Sequence, residues 1–415
     1  MPHALVASDV DQAAEAITAV VRRTPIEQSD RLTRVTGHRV LLKREDLQLC
    51  RSYKVRGAYF AVASLDQAQR ALGVVCASAG NHAQGVAFAC SILEIRGRIY
   101  VPSNTPRQKR QRIKAIGGTW IELIVAGNSY DEASRRANED CVVTGAVAIH
   151  PFDDPHTIAG QGTVAREIAE QLDGELGTII VPVGGGGLLS GVAVWLREHF
   201  PAARIIGAEP EGAASMRAAL DAGEPVVLEA VNTFVDGAAV SRVGDLTFPI
   251  VRDLVDEVVS VPEGAVCSEM LDLYQTEGII AEPAGALASA ALRIMDRSDT
   301  ASVVCVVSGG NNDVSRYAEV IERSLLYEGL RHYFLVNFSQ EPGALRRFLN
   351  DVLAEGEDIV LFEYMKKNNR ETGPALVGIE LESPTELPGL LRRLDASPLH
   401  VERVSPDSAH FAFLF

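Results

Sequence analysis

The chain has 415 residues, 47% of them apolar, a formal net charge of −16 and six cysteines. It is long for one domain and suits two or three, with apolar content enough for substantial cores. The acidic balance argues against nucleic acid and anionic membranes as partners, since the one basic run, Arg107 to Arg112, reads as a solvated helix face after Pro106. Cys50, Cys76, Cys90, Cys141, Cys267 and Cys305 form no Cys-x-x-Cys pair and lie mostly in apolar runs, as reduced thiols of a cytosolic protein do. No apolar run reaches ~18 residues, and the start from Met1 to Leu5 lacks a basic segment followed by an apolar stretch. A soluble, cytoplasmic protein is expected.

Apolar strand-like runs alternate with helical stretches from about Val40 to Val320, the pattern of an α/β fold with a mostly parallel sheet. Ser52-Tyr53-Lys54-Val55-Arg56-Gly57-Ala58 opens a helix whose Tyr59, Phe60, Val62, Ala63 and Leu65 are apolar on most sides. An ammonium group in the first turn of such a helix is desolvated, which lowers its pKa and frees the amine for Schiff-base chemistry. The alternative is a solvated surface lysine. Cys50, just upstream, reads as a small buried apolar residue. Gly73 to Ala77 then reads as a buried strand, Ser78 to Gly85 as a polar turn and Val86 to Leu93 as a helix. Unpaired amides at a helix start suit a carboxylate, whereas Ser78 or Asn81 acting as an ordinary N-cap would explain the same residues.

Arg98 to Val101, Trp120 to Ile124 and Arg204 to Gly207 are further strand candidates. Between the last two, Thr178 to Val183 is a buried-strand run, and Gly184, Gly185, Gly186, Gly187 and Leu188 open a helix through Trp195. Consecutive glycines cost on the order of 0.5 to 1 kcal/mol each relative to alanine, unless something must approach the backbone closely. Phosphate is the natural candidate. No Lys-Ser or Lys-Thr pair follows and the loop is not G-x-G-x-x-G, which lowers nucleotide binding in rank. Ser302 to Val307, followed by Ser308-Gly309-Gly310-Asn311-Asn312, places a hydroxyl at the carboxyl end of another buried strand, where open parallel sheets hold ligands. A desolvated lysine with glycine-bearing loops at strand ends points to pyridoxal phosphate.

After about Leu326 the pattern changes. His332 to Phe338 is strand-like, and Leu345, Phe348, Leu349 and Val352 follow at helical spacing. Strands at Ile359 to Tyr364 and Ala375 to Leu381 precede a second helix with Leu387, Leu390, Leu391 and Leu394, and a last strand at Val401 to Val404. The order is βαββαβ. Each helix has a single apolar stripe and covers one face of a four-stranded antiparallel sheet.

The lysine, Ser78 and glycine motifs, Glu282-Pro283-Ala284-Gly285-Ala286 and Ser308 to Asn311 together resemble the fold-type II pyridoxal phosphate enzymes, and among them the biosynthetic threonine dehydratases. The resemblance runs from about Ala14 to the C-terminus and includes a single C-terminal ACT-like domain, where longer relatives have two. It implies two open-sheet α/β subdomains in a catalytic domain over 1–324, the smaller at about 50–150, and a regulatory α+β domain over 325–415. Lys54 becomes the lysine that bonds the cofactor, Asn81 the partner of the ring 3′-hydroxyl and Ser308 the partner of the ring nitrogen. Gly184, Gly185, Gly186, Gly187 and Leu188 become the phosphate cradle. Ser78, Ala79, Gly80, Asn81 and His82 become the loop for the substrate carboxylate, with its backbone carrying the binding.

The implied reaction is α,β-elimination of water from L-threonine, giving 2-oxobutanoate and ammonia. Lys54 takes the Cα proton, and the cofactor phosphate protonates the leaving hydroxyl. A serine at the ring nitrogen makes a weaker electron sink than a carboxylate would, which suits elimination over transamination. Ala79 matches the place of a second serine in serine racemases, and a methyl group cannot exchange a proton. In those relatives a divalent-cation site falls on Glu209, Ala213 and Ser215. Ser215 stands where a carboxylate is expected, so no metal is expected and Glu209 reads as structural. Glu282 matches a position near the cofactor, and equally suits a helix start before Pro283. Isoleucine is implied as inhibitor, valine as opposing activator and a homotetramer as the assembly; a plain dimerisation role for the C-terminal domain is the alternative. An L-serine-preferring dehydratase and a non-catalytic amino-acid sensor are the competing functions.

Overall fold

The computed structural model describes residues 5–295, 302–364 and 371–405, so most of the N-terminal run read for a leader lies outside it. Two compact units make up the chain, Met1–Asp313 and Val314–Phe415. The strands of the first unit are β1 (Ile26–Gln28), β2 (Arg39–Arg44), β3 (Val74–Ala77), β4 (Gly97–Val101), β5 (Ile121–Val125), β6 (Val147–Ala148), β7 (Thr178–Pro182), β8 (Arg204–Pro210), β9 (Glu257–Val261) and β10 (Ser302–Val307). They form a smaller sheet ordered β5-β4-β3-β6 and a larger one ordered β1-β2-β10-β7-β8-β9. Every ladder is parallel except the β1–β2 edge. All residues of β7 and β10 are buried, as helices on both faces of a parallel sheet require. Val55, Val74, Cys76, Val86 and Ile99 centre the smaller core, and Ile179, Val181, Leu189, Val304 and Val306 the larger.

The helix Lys54–Ala63 lies against the helix Pro155–Gln171 with almost no side chain between them. A Cβ at Gly57 would stand 2.5 Å from the Thr157 carbonyl, and one at Gly160 2.7 Å from that of Arg56. Arg56 itself is fully buried, with Nε 2.8 Å from Glu45 and Nη1 2.7 Å from Glu167. Lys43 Nζ adds a 2.7 Å contact to Glu167. Each buried charge is thereby paired, which offsets part of the large cost of its desolvation.

In the second unit β11 (Arg331–Ser339), β12 (Asp358–Tyr364), β13 (Thr372–Glu380) and β14 (His400–Val404) form an antiparallel sheet ordered β12-β13-β11-β14. The helices Ala344–Val352 and Leu387–Ala396 complete the βαββαβ order. Their Phe348, Val352, Leu390 and Leu394 bury against Phe334, Val336, Phe338, Val377 and Ile379. The helix Tyr317–Tyr327 precedes β11 in the same unit, and its Glu322 accepts a 2.6 Å hydrogen bond from the Tyr333 hydroxyl. Among the described residues no helix is long and apolar enough to cross a membrane.

Candidate active site

Three loops leave the carboxyl ends of β3, β7 and β10, and these carry Ser78 to His82, Gly184 to Gly187 and Ser308 to Asn311. Parallel strands deliver their ends to one edge of a sheet, and ligands of α/β proteins collect there. The backbone just before Lys54 reaches the Ser308 loop. Ser52 pairs with Gly309 as an antiparallel bridge, and the Tyr53 amide donates to the Ser308 carbonyl at 3.2 Å. Lys54 is the first residue of its helix; its Nζ donates to the Pro151 carbonyl at 2.8 Å and lies 5.2 Å from the Tyr53 ring centre. Burial pushes this ammonium down to about 8, against the opposing pull of the Glu282 carboxylate.

The helix after β3 begins at Asn81, with Gly80 in the cap position and no side-chain cap. The alternative of an ordinary N-cap at Ser78 or Asn81 does not hold. Ser78 Oγ instead accepts from the Gly80 amide at 3.2 Å, and the Asn81 side chain donates to Glu282 Oε1 at 2.6 Å. Asn81 Oδ1 accepts from Asn311 Nδ2 at 2.7 Å. Glu282 does stand at the cap of the helix Pro283–Ala291, yet its side chain makes no cap bond and turns to Asn81. The backbone of Glu282 thus takes the helix-start place, while its side chain serves Asn81. Burial pushes its carboxyl up to about 7, Asp236 acts in the same direction, and the Asn81 bond opposes. Gly309 is required beside it, because a Cβ there would lie 2.1 Å from Glu282 Oε1.

His82 is 3% exposed, and its Nε2 lies 2.8 Å from the Ile149 carbonyl. A carbonyl only accepts, so Nε2 carries the proton and Nδ1 is left a bare, buried acceptor with no partner. Burial drives the imidazole down to about 3, with the Lys54 charge acting the same way. Ala79 presents only its methyl, half-buried against the smaller core.

The glycine loop is lined by groups that leave no room for side chains. A Cβ at Gly185 would stand 2.3 Å from the Phe152 ring, one at Gly187 2.7 Å from Gln161 Oε1, and one at Gly184 3.0 Å from the Ala238 backbone. Gly186 takes φ 93°, open to glycine at little cost, and caps the helix Gly187–His199. The first-turn amides of that helix, Leu188 included, have no acceptor within it. Gln161 Oε1 is buried without a partner at the loop's edge, while its Nε2 shares the Pro151 carbonyl with Lys54 at 3.1 Å. A backbone-lined cradle at a helix start, with a lysine amine and an asparagine network nearby, fits pyridoxal phosphate. The Ser308 hydroxyl, buried, donates to the Ala284 carbonyl at 3.1 Å and retains its lone pairs.

Pro151, Phe152 and Gln161 escaped the sequence reading. Gln161 had a faint signal, an amide among the small residues of Ile158-Ala159-Gly160-Gln161-Gly162. The basic run lies on an exposed helix face after Pro106, as expected, with Lys109 paired to Asp236 at 2.9 Å and Arg112 Nε donating to Gln84 Oε1 at 2.9 Å. Glu209 accepts from the Met216 and Arg217 amides, each at 2.9 Å, at the start of a helix.

Residues 17–309 match the family described as pyridoxal-phosphate dependent enzymes, and residues 322–414 the C-terminal regulatory domain of threonine dehydratase. The biosynthetic L-threonine dehydratase of Mycobacterium tuberculosis is 57% identical over 409 residues, 98% of this chain and 95% of the relative. The chain belongs to the biosynthetic threonine dehydratase family of pyridoxal-phosphate-dependent enzymes. Among solved structures, the processed form of threonine deaminase isoform 2 from Solanum lycopersicum superposes with a TM-score of 0.70 at 37% identity, covering 76% of this chain and 94% of that one. Maize serine racemase gives 0.71 at 35% identity, covering 78% of this chain and 99% of the other. The family's fold is thus a fold-type II catalytic part with a C-terminal regulatory domain, as the sequence motifs implied.

Proposed function

We propose that this protein deaminates L-threonine to 2-oxobutanoate and ammonia, with Lys54 as the base and isoleucine as a feedback inhibitor acting through the second unit. The observation that carries the reading is the Lys54 amine, tuned to about 8 by burial and set among loops from three strand ends, in a chain 57% identical to dehydratases of that name. Pyridoxal phosphate supplies an electron-withdrawing ring that weakens the substrate Cα–H bond. Gly184, Gly185, Gly186, Gly187 and Leu188 hold its phosphate through backbone amides. Asn81 would meet the ring hydroxyl, and the Ser308 hydroxyl, rotated from the Ala284 carbonyl, would donate to the ring nitrogen. Amides of the Ser78 to His82 loop bind the substrate carboxylate. The neutral Lys54 amine takes the Cα proton, and its depressed pKa keeps a useful neutral fraction near pH 7.5.

His82 cannot serve as an acid near neutral pH, because its imidazole protonates only at about 3. Ala79 favours elimination over racemisation, since its methyl offers no base on the substrate's other face. The sheet face of the second unit that its two helices leave, covered in part by the helix Tyr317–Tyr327, suits pairing between copies, in keeping with a cytoplasmic homotetramer, and valine opposes isoleucine there. An L-serine preference is the second reading: one methyl group is worth only about 1 to 3 kcal/mol in a pocket, and serine has the same leaving group. The test is 2-oxobutanoate formation from threonine by the purified full-length protein, with and without isoleucine, beside pyruvate formation from serine. Product suppressed by isoleucine supports the whole reading. Pyruvate alone moves the substrate to serine, and production that ignores isoleucine reduces the second unit to an assembly module.

A further inference from the structure

The network around Asn81 fixes which end of its carboxamide points where. The Cys50 carbonyl, a group that can only accept, lies 2.7 Å from Asn311 Nδ2. The amino end of Asn311 therefore faces that side, and it also meets Asn81 Oδ1 at 2.7 Å. The Asn81 oxygen is thus taken, and its amino end turns the other way, where one N–H donates to Glu282 Oε1 at 2.6 Å. One N–H of Asn81 is left over. The Glu282 carboxyl is itself held by the backbone amide of Asn311, so the three residues close into a ring. Gly309 and Gly285 pack this ring without side chains: a Cβ on Gly309 would strike Glu282 Oε1, and one on Gly285 would lie 2.2 Å from the Gly309 carbonyl.

We propose that Asn311 and Glu282 are positioning residues that hold the Asn81 carboxamide with one N–H free as a donor to the cofactor's ring hydroxyl. Without them the amide would turn over easily, and in half its orientations an oxygen would face the oxygen of the ring. The proposal rests on the reading that Asn81 meets the ring hydroxyl. It gives Glu282 a role exerted through Asn81, beside its charge effect on Lys54.

The test is a double-mutant cycle on the full-length protein, read as the dissociation constant for pyridoxal 5′-phosphate and as the position of the bound cofactor's absorption band. Asn81→Ala should weaken retention roughly tenfold and shift the band, as loss of a hydrogen bond to a charged oxygen does. Glu282→Ala and Asn311→Ala should each reproduce both effects in the presence of Asn81, and add nothing in the Asn81→Ala background. Glu282→Gln keeps an acceptor for Asn81 and should retain the wild-type band, which separates positioning from fold loss if Glu282→Ala proves unstable. Additive losses, or single variants with wild-type band and affinity, would overturn the proposal. Asn81→Ala indistinguishable from wild type would instead remove the reading of Asn81 on which it stands.

Discussion

The Lys54 amine should make the cofactor-free protein capture pyridoxal 5′-phosphate far faster at neutral pH than an exposed lysine could. Only the neutral amine attacks an aldehyde. With Lys54 at about 8, roughly a quarter of the molecules carry it neutral at pH 7.5, against about one in a thousand for a lysine at the ordinary value. The gain in attacking species is roughly 200-fold. Glu282 opposes this shift, so Glu282→Gln should lower the Lys54 midpoint further and raise the neutral fraction at the same pH. The assay mixes cofactor-free enzyme with pyridoxal 5′-phosphate at pH values from about 6.5 to about 10 and follows the bound cofactor's absorbance. Nα-acetyl-lysine, run in parallel, divides out the titration of the cofactor itself. The enzyme's capture rate should rise with pH, bend near 8 and level off, while that of the free amine keeps climbing. A rate that climbs in step with the free amine through about pH 10 would refute the desolvation argument.

Replacing Lys54 by alanine should preserve the fold, as judged by circular dichroism, and lower threonine turnover by roughly a thousandfold or more; near wild-type turnover would refute its role as base. Gly185→Ala drives a methyl into the Phe152 ring, a clash costing about 1 to 3 kcal/mol, and should weaken cofactor retention by roughly 5- to 150-fold in equilibrium dialysis. Arg56→Met strips the buried Glu45 carboxylate of its partner, leaves the half-buried Glu167 with Lys43 alone, and should destabilise the first unit by about 3 to 5 kcal/mol, seen as an earlier thermal transition; an unchanged Tm would mean the network relaxes around the loss.

The strands that frame the site were legible because each is a short apolar run with glycine or serine within two residues of its end, as Thr178 to Pro182 and Ser302 to Val307 show. Strand β2 was harder to read. Its partner β10 lies more than 250 residues away, and nothing local in Arg39 to Arg44 announces a parallel pairing with Ser302 to Val307. The same limit applies inside the site. Lys54 declares itself by motif, but its hydrogen-bond acceptor is the Pro151 backbone carbonyl, a group every residue has. Asn81 fits a helix cap as well as a ligand contact from sequence, and only the approach of Glu282 and Asn311 from distant loops shows that its side chain is not a cap. In the second unit the alternating and helical spacings sufficed, because sheet and helices there are built from neighbours in the chain.

The position of β10 between β2 and β7 carries a cost for the chain as it is made. It is the last strand of its sheet to leave the ribosome, yet it supplies the middle. The smaller sheet, with all its strands between Val74 and Ala148, can close as soon as its residues emerge. The larger one cannot. Until Ser302 to Val307 arrive, the apolar edges of β2 and β7 stand open to pairing with other chains. A nascent protein of this design gains from chaperone cover over that interval, and truncations that remove β10 should aggregate, whatever they keep of the residues upstream.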